Sequence, residues 1–314
     1  MSNNFDILIY KKLNPDLVNL SDEELIIHFN TIGQYQMRIF SNKPFKNDIV
    51  YIFTTKFGYY ISSVLQYLLF KNNIPSKIIY KINLELDNLH IITFAQKVEK
   101  FPKNYIIYQL EQKDISKWIN KKYELAILFS KKTFDYSQSN INKFPEIIRK
   151  KMICYPIPII PYHYLNYKID DNIIPKNNIL FYGSLNKSRE IKLNYLNKKL
   201  YPKYFIKILN NVFGKHLFNE IINSRIILNI HFYKEAILET YRINEILSCG
   251  KIVISETPNK IDIDNYNQYK KYENNVIFVN NMDEMAHNII YQLENNKHQD
   301  NISFFDIEKF NNLL

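Results

Sequence analysis

The sequence predicts an α/β protein with two doubly wound parallel-sheet domains that face each other across a cleft, preceded by a short helical module. The length of 314 residues is enough for two domains, at roughly 150 residues each. Short β-branched runs alternate with helical patterns in two series, and a proline-rich stretch separates the series. A composition with 46% hydrophobic and 15% aromatic residues is typical of a globular protein.

Residues 1–46 form the predicted helical module. The stretch "FDILIYKKLNPDLVNLSDEELIIHF" predicts two short helices. Ser21 followed three residues later by Glu24 is the pattern of a capping box, which satisfies free backbone N–H groups at a helix start. The second helix is therefore predicted to begin directly after Ser21.

Residues 47–153 form the predicted first domain, because strand-like and helical patterns alternate here at lengths typical of βα units. The predicted strands are "IVYIFTT", "SKIIYKI", "LHIITFA" and "NYIIYQLEQ", the first helix is "GYYISSVLQYLLFKNN", and "ELAILFS" is a further apolar run.

A linker is predicted over 154–177, where prolines from Pro156 to Pro175 leave no usable periodicity. Residues 178–314 then form the second predicted domain. Its predicted strands are "NILFYGS", "YFIKIL", "RIILNIH", "KIVISE" and "NVIFVN", and its predicted helices are "SREIKLNYLNKKL", "GKHLFNEIINS", "YRINEILSC" and "DEMAHNIIYQLENN".

The net charge of +10 and pI of 9.2 are compatible with nucleic acid, an anionic membrane surface or a phosphorylated small molecule as partner. The lysines are scattered among Asn, Ile and Tyr, which favours a general solvated surface over a nucleic-acid-binding stripe. Cys154 and Cys249 show no disulfide or zinc spacing. No apolar run approaches the roughly 18 residues of a membrane span, so a soluble protein of the cytoplasm is expected.

Candidate ligand-binding residues follow the second-domain strands, where open parallel sheets bind ligands. In "YGSLNKSRE", Gly183 and Ser184 end a strand, and Lys187 and Arg189 lie at the start of the next helix. Glycine permits close backbone approach, and the two cations suit phosphate oxygens. A turn with a solvated basic edge explains the same residues, and the P-loop pattern is absent.

A second candidate is "ILNNVFGKHL", in which a strand ends in Asn210 and Asn211, Val212 follows, and a helix begins near Gly214. Polar groups and amides there are suited to the edge of a nucleotide base. An Asx turn between strand and helix is the alternative.

The third candidate is "LNIHFYKEAILETYRINEILSCG". His231 ends a strand, a helix is predicted from about Thr240 and Tyr241, and Arg242 falls in its first turn. A helix N-terminus with an arginine suits a diphosphate.

Two glutamates flank this helix start. Glu239 and Glu245 are six residues apart, so they do not share one helical face. They are expected to contact different parts of one ligand. Carboxylates accept hydrogen bonds from sugar and ribose hydroxyls. Complementing the helix dipole is the alternative explanation of a glutamate at this position.

The segment "ETYRINEILSCGKIVISE" resembles nucleotide-sugar glycosyltransferases of the GT-B fold, family-four-like, in which a glutamate precedes a glycine by five residues. Glu245 and Gly250 keep that spacing. The stretches "YIIYQLEQ", "FDYSQSNI" and "FYGSLNKSRE" are similar to a glycosyltransferase group from giant viruses and some bacteria. The resemblance implies two Rossmann-like domains in the GT-B arrangement: an acceptor domain, then a nucleotide-sugar-binding domain.

The resemblance also implies roles for individual residues. Glu245 matches the glutamate that binds the ribose. The first glutamate of the family's usual pair would fall at Ile237, so Glu239 or Glu235 is the candidate replacement. In the first domain, Gln96 stands where related sequences tend to have a histidine, and it is the acceptor-side catalytic candidate.

The expected activity is metal-independent transfer of a sugar, with UDP- or GDP-sugars as the expected donors, to a glycan or protein acceptor. Lys187, Arg189, Arg242 and the helix start would stabilise the leaving diphosphate, so no cofactor and no metal site are expected. A DxD pattern at Asp262–Asp264 is the metal-dependent alternative. A degenerate nucleotide-sugar-binding module and a nucleic-acid-binding protein stay as alternatives, and a homo-oligomer stays open.

Overall fold

The computed structural model describes residues 5–33, 49–72, 74–165, 174–259 and 269–295. Its strands are β1 Val50–Phe53, β2 Ser76–Ile79, β3 His90–Ile92, β4 Tyr105–Gln109, β5 Thr133–Asp135, β6 Met152–Cys154, β7 Asn177–Tyr182, β8 Ile206–Leu209, β9 Ser224–Asn229, β10 Ile252–Glu256 and β11 Val276–Val279. Its helices are α1 Ile7–Leu13, α2 Asp22–His28, α3 Tyr59–Lys71, α4 Lys121–Phe129, α5 Gln138–Asn142, α6 Glu146–Arg149, α7 Lys187–Leu200, α8 Gly214–Ile222, α9 Thr240–Ser248 and α10 Met282–Glu294.

The strands form two parallel sheets, which confirms the predicted fold class. The first has the order β2-β1-β3-β4-β5-β6 and the second the order β11-β10-β9-β7-β8. Each order reverses once, between β1 and β3 in the first sheet and between β7 and β9 in the second. Chain connections leave such a switch point toward opposite sides, which opens a crevice at the carboxyl ends of the two strands.

The helical module packs on the first half of the chain. Its predicted capping box is confirmed: Ser21 N–H donates to Glu24 Oε2 at 2.8 Å, and Glu24 N–H donates to Ser21 Oγ at 3.3 Å. Tyr10, Leu25 and Phe29 are buried in one cluster with Phe70 of α3. The part of the predicted module beyond residue 33 lies outside the described residues.

The two halves share one hydrophobic core. Helix α3 of the first half and helices α8 and α9 of the second contribute to the same buried cluster, while α7 and α10 cover the opposite face of the second sheet. Hydrogen bonds join the halves directly: Asn244 Nδ2 donates to the Ile157 carbonyl at 2.7 Å, and Ile237 N–H donates to Gln112 Oε1 at 3.2 Å.

Three elements of the first half, α4, β5 and β6, were not assigned as helix or strand from the sequence. The apolar run "ELAILFS" lies in helix α4, whose start is fixed by Asn120 accepting a hydrogen bond from Tyr123 N–H at 3.1 Å. Strands β5 and β6, of three residues each, complete the first sheet. The first sheet ends at Cys154 and the second begins at Asn177, and the domain boundaries proposed from the sequence stay a prediction.

Candidate functional site

A cavity of about 230 Å³ lies between the two halves at the switch points of both sheets. We call it the switch-point cavity. The first half contributes residues from the start of α3, and the second half contributes residues that follow β7 and β8 and residues of α9. Its lining residues are Phe57, Tyr60, Ile61, Tyr182, Gly183, Ser184, Asn211, Val212, Phe213, Leu217, Tyr241, Arg242 and Glu245.

Gly183 lets the chain leave β7 close to two arginines. Its φ of +134° is a conformation that side-chain-bearing residues rarely adopt. A Cβ at this position would lie 3.0 Å from Nη1 of Arg242 and 3.3 Å from Nη1 of Arg189. Glycine is therefore required by both the backbone and the space that the guanidinium groups occupy.

The two guanidinium groups at Gly183 are buried, with exposed fractions of 8% for Arg242 and 3% for Arg189. Arg242 Nη2 donates to the Tyr182 carbonyl, and Arg189 donates to the carbonyls of Ser184 at 2.8 Å and Ile230 at 2.9 Å. Burial and the charge of Arg242 lower the pKa of Arg189 to about 10. Within the described ranges neither guanidinium forms a salt bridge, although the charges of Glu239 and Glu256 oppose the lowering of the Arg189 pKa, and the two guanidinium groups lie side by side at the end of β7.

Helix α9 begins at Thr240, as predicted, and its first turn borders the switch-point cavity through Tyr241 and Arg242. Glu239 occupies the N-cap position but makes no capping hydrogen bond there. Glu239 Oε2 and Thr240 Oγ1 are buried and have no hydrogen-bond partner among the residues that the structure describes.

Glu245 faces the switch-point cavity from the next turn of α9. Its Oε2 accepts a hydrogen bond from the Tyr182 hydroxyl at 2.9 Å. Burial raises the pKa of Glu245 to about 7, against the opposing effects of this hydrogen bond and of the Arg242 charge. The raised pKa favours the protonated carboxyl, which can both donate and accept hydrogen bonds.

An aromatic pair closes one side of the cavity across the two halves. The rings of Phe57 and Phe213 meet edge to face at 4.5 Å between centroids, and Lys56 Nζ lies 5.1 Å from the Phe213 centroid. The preceding Asn211 has a φ of 59°, a left-handed conformation that turns the chain toward the cavity. This side offers apolar contact area suited to a planar ring.

Seven residues proposed from the sequence line the switch-point cavity together. They are Gly183, Ser184, Asn211, Val212, Tyr241, Arg242 and Glu245. The aromatic residues that complete the cavity, Phe57, Tyr60, Tyr182 and Phe213, were not singled out. Their position at the end of a strand or near the start of a helix is the available signal. Local sequence patterns do not show which surfaces of the two halves contact each other.

The other proposed residues of the second half lie outside that lining. Lys187 is exposed at the first position of α7, and Asn210 is exposed directly after β8. Arg189 is buried and donates to the Ser184 carbonyl next to Gly183. His231 lines a different cavity of about 410 Å³, and its backbone N–H donates to Glu256 Oε2 at 2.7 Å. Burial lowers the pKa of His231.

Gln96 and Ile237 are the two positions where the sequence departs from the family that it resembles, and both lie outside the lining of the switch-point cavity. Gln96 donates to Glu111 Oε1 at 2.8 Å and lines a separate cavity of the first half. Ile237 is 1% exposed and belongs to the core that the two halves share. A glutamate at position 237 in this arrangement would be buried among apolar side chains.

The DxD pattern at Asp262–Asp264 lies outside the described residues. Among the residues that are described, no group of three or more His, Cys, Asp or Glu side chains is placed to hold a metal ion. Nor, within the same ranges, does any helix have the length and apolarity needed to cross a membrane.

Comparisons with known proteins were made for the sequence and for the fold. No protein-family model and no curated protein matches the chain. Among solved structures, the chain is similar to an α1,3-fucosyltransferase, with 12% identity, a TM-score of 0.43, and 86% of this chain and 84% of that chain covered.

Two further structures show a similar level of likeness. One is an α1,3-fucosyltransferase with GDP-fucose, with 11% identity, a TM-score of 0.43 and 82% of each chain covered. The other is the UDP-GlcNAc 2-epimerase from Methanocaldococcus jannaschii, with 10% identity, a TM-score of 0.43, and 82% of this chain and 94% of that chain covered. Likenesses at this level assign no activity to the chain.

Proposed function

We propose that this chain is a glycosyltransferase that binds a nucleotide-diphosphate sugar in the switch-point cavity and transfers the sugar to an acceptor hydroxyl without a metal ion. The observation that carries the proposal is the pair of buried guanidinium groups at Gly183, neither of which has a carboxylate partner among the described residues. A buried charge that lacks an ionic partner is costly even when carbonyl groups accept its hydrogen bonds, and an anionic ligand would offset that cost.

A diphosphate suits this position for two physical reasons. Arg242 presents a planar guanidinium at the cavity wall, and guanidinium groups bind phosphate oxygens through paired hydrogen bonds. The first turn of α9 borders the same space, and the N-terminus of a helix carries a partial positive charge. Both features act on the same end of the ligand.

The remaining walls suit the nucleoside. Glu245 faces the cavity with one oxygen bonded to Tyr182, and the other is available for a ribose hydroxyl. Val212 and Phe213 provide apolar surface for a base. At about 230 Å³ the cavity is smaller than the roughly 300–1,000 Å³ of typical ligand pockets, so the sugar would extend out of it.

The proposed transfer breaks the bond between the anomeric carbon and the β-phosphate oxygen, and the diphosphate leaves with the electron pair. A bond forms between the anomeric carbon and the acceptor oxygen, whose proton passes to a base or to water. Arg242 would stabilise the charge that develops on the diphosphate, and one such positioned donor is worth about 10²–10³ in rate.

A second candidate function is nucleotide-sugar binding without transfer. It is favoured by Ile237, which is buried in the core at the position where the resembled family has its first glutamate. Gln96, the other catalytic candidate, lies in a separate cavity and is bonded to Glu111. Binding and transfer must therefore be measured separately.

The test is a thermal-shift screen with UDP, GDP, ADP, CDP and their sugars, followed by donor hydrolysis and transfer assays. A ligand present at about 100 times its dissociation constant should stabilise the folded chain by about 2.7 kcal/mol. We expect Arg242→Gln to abolish the shift. The matched control is Arg225→Gln, because Arg225 lies at the amino end of β9, whereas the cavity lies at the carboxyl ends of the strands. Its side chain donates to the Leu293 carbonyl.

Three outcomes separate the candidates. A shift that Arg242→Gln removes, together with sugar transfer, supports the transferase. The same shift without hydrolysis or transfer across an acceptor panel supports the binding module. No shift with any nucleotide, or an equal shift in Arg242→Gln, refutes both.

A further inference from the structure

A second cavity, of about 210 Å³, lies on the first half at the carboxyl ends of β3 and β4. We call it the Trp118 cavity. Gln96 follows β3, while Trp118 and Asn120 lie in the connection from β4 to α4. Its walls combine aromatic rings, amides and a cation, namely Phe101, Trp118, Tyr123, Gln96, Asn120 and Lys122.

Trp118 is the only tryptophan of the chain, and 40% of its side chain is exposed. Its loop is held in place, because Trp118 N–H donates to Ser116 Oγ at 3.3 Å and Ser116 Oγ donates to Glu111 Oε2 at 2.5 Å. The indole N–H has no hydrogen-bond partner within the described part of the chain. A large ring held on a fixed loop, with an unused donor, is typical of a binding surface.

Two amides of the Trp118 cavity keep hydrogen-bonding capacity. Gln96 Nε2 donates to Glu111 Oε1 at 2.8 Å, which fixes the amide and leaves its carbonyl oxygen available. Asn120 Oδ1 accepts from Tyr123 N–H at 3.1 Å, which leaves its NH₂ group available. One free acceptor and one free donor are suited to neighbouring hydroxyl groups.

The rim of the cavity is cationic. Lys97 Nζ and Lys117 Nζ lie 4.5 Å and 5.3 Å from the ring centroid of Trp118, and Lys122 lines the cavity. None of these three lysines forms a salt bridge among the described residues. Glu111, the nearby carboxylate, is already bonded to Gln96 and Ser116. The rim therefore favours an anionic ligand.

We propose that the Trp118 cavity binds a pyranose that carries a carboxylate or a phosphate, and that this sugar is part of the acceptor. The indole N–H of Trp118 would donate to the sugar, Gln96 and Asn120 would bind its hydroxyl groups, and Lys97 and Lys122 would bind its anionic group. A volume of about 210 Å³ suits one ring of a longer ligand. The acceptor role rests on the proposed function, whereas binding of the sugar does not.

The loop after β4 connects the Trp118 cavity to the segment that leads into α9. Glu111 accepts a hydrogen bond from Gln96 at 2.8 Å, and the next residue, Gln112, accepts one from Ile237 N–H at 3.2 Å. An acceptor held at Trp118 would therefore lie on the side of the first half that contacts the donor-binding half.

The test uses the intrinsic fluorescence of the single tryptophan in the whole chain without donor. The titrants are methyl glucuronide, glucose 6-phosphate and methyl glucoside, with acetate and inorganic phosphate as plain anions. We expect a saturable change with the anionic sugars and an affinity for them about three- to tenfold above that for the neutral sugar. The double substitution Lys97→Gln with Lys122→Gln should bring that ratio close to one, whereas Lys103→Gln, an exposed lysine of the same half, should not.

Ligand-observed NMR on Trp118→Ala provides a second measurement, in which the contact with the sugar should disappear while nucleotide thermal shifts persist. No saturable fluorescence change, equal affinity for neutral and anionic sugars, or an equal response to acetate or phosphate alone would overturn the proposal. Each of these results is independent of whether nucleotides bind, so failure here is distinguishable from failure of the proposed function.

Discussion

Glu245→Gln is the most informative substitution in the switch-point cavity. Burial raises the pKa of Glu245 from 4.5 to about 7, a difference of about 2.5 pH units. At about 1.36 kcal/mol for each unit, ionising this carboxyl costs up to about 3 kcal/mol more in the folded chain than in the unfolded chain. The side chain faces a cavity that water can enter, so we expect a measured effect of about 1–3 kcal/mol.

The sign of the pH dependence follows from these two pKa values. Below pH 4.5 the carboxyl is protonated in both states, and its contribution to stability is fully present. Between pH 4.5 and 7 the unfolded chain ionises first, so the stability of the wild type falls as the pH rises. Glutamine stays neutral throughout and can still accept the hydrogen bond from Tyr182.

The assay is urea unfolding of the wild type and Glu245→Gln at pH 5 and pH 8. The stability of Glu245→Gln relative to the wild type should rise by about 1–3 kcal/mol between the two pH values. A difference that does not change with pH would refute a raised pKa at Glu245, and a change of the opposite sign would show that the Arg242 charge dominates burial.

Asp135→Asn is the matched control, because burial also raises the pKa of Asp135 to about 7. Asp135 Oδ1 accepts from Ser137 N–H at 2.8 Å, and Oδ2 accepts from Gln109 at 2.9 Å and Asn140 at 2.7 Å. An asparagine would turn a donor toward existing donors. Asp135→Asn should therefore lose stability at both pH values, in contrast to Glu245→Gln.

Three further substitutions test the neighbouring structure. Gly183→Ala should cost about 1–3 kcal/mol of stability and weaken nucleotide binding, because its Cβ would displace Arg242; unchanged binding in the thermal-shift screen would contradict this. Asn244→Ala should cost about 2–4 kcal/mol, and a double-mutant cycle with Tyr272→Phe should show strong coupling, because the Tyr272 hydroxyl donates to Asn244 at 2.7 Å; additive effects would refute that coupling. Ile237→Glu should lower the free energy of unfolding by several kcal/mol without creating transfer activity, and a stable, active variant would show that this position can face the ligand.

The sequence predicts the elements of the second half well because each is long enough to show a period. Strand β7 contains the apolar run Ile179–Tyr182 and strand β9 the apolar run Ile226–Leu228. Helix α9 begins at the predicted Thr240 and ends before Gly250, whose φ of 65° suits the left-handed turn after a helix. Strands β5 and β6 of the first half have only three residues each, too few for a period to be recognised.

Contacts between the halves could not be predicted from local patterns. The hydrogen bond from Ile237 to Gln112 joins residues far apart in sequence, and no local signal specifies it. For the same reason the contribution of Phe57 and Tyr60 to the switch-point cavity appears only when the first half is placed against the second. Sequence spacing identified the cavity residues of the second half, which follow β7 and β8 or lie in α9, but not those of the first half.

Helix α9 keeps the residues that line the switch-point cavity apart from position 237, where the expected first glutamate is an isoleucine. Tyr241 and Arg242 lie four and three residues before Glu245, and all three line the switch-point cavity, while Asn244 lies on another face and donates to the Ile157 carbonyl. Ile237 precedes the helix and lies in the core. The residues of α9 that line the cavity are therefore separate from position 237, so we expect the isoleucine there to leave the proposed nucleotide site unaffected.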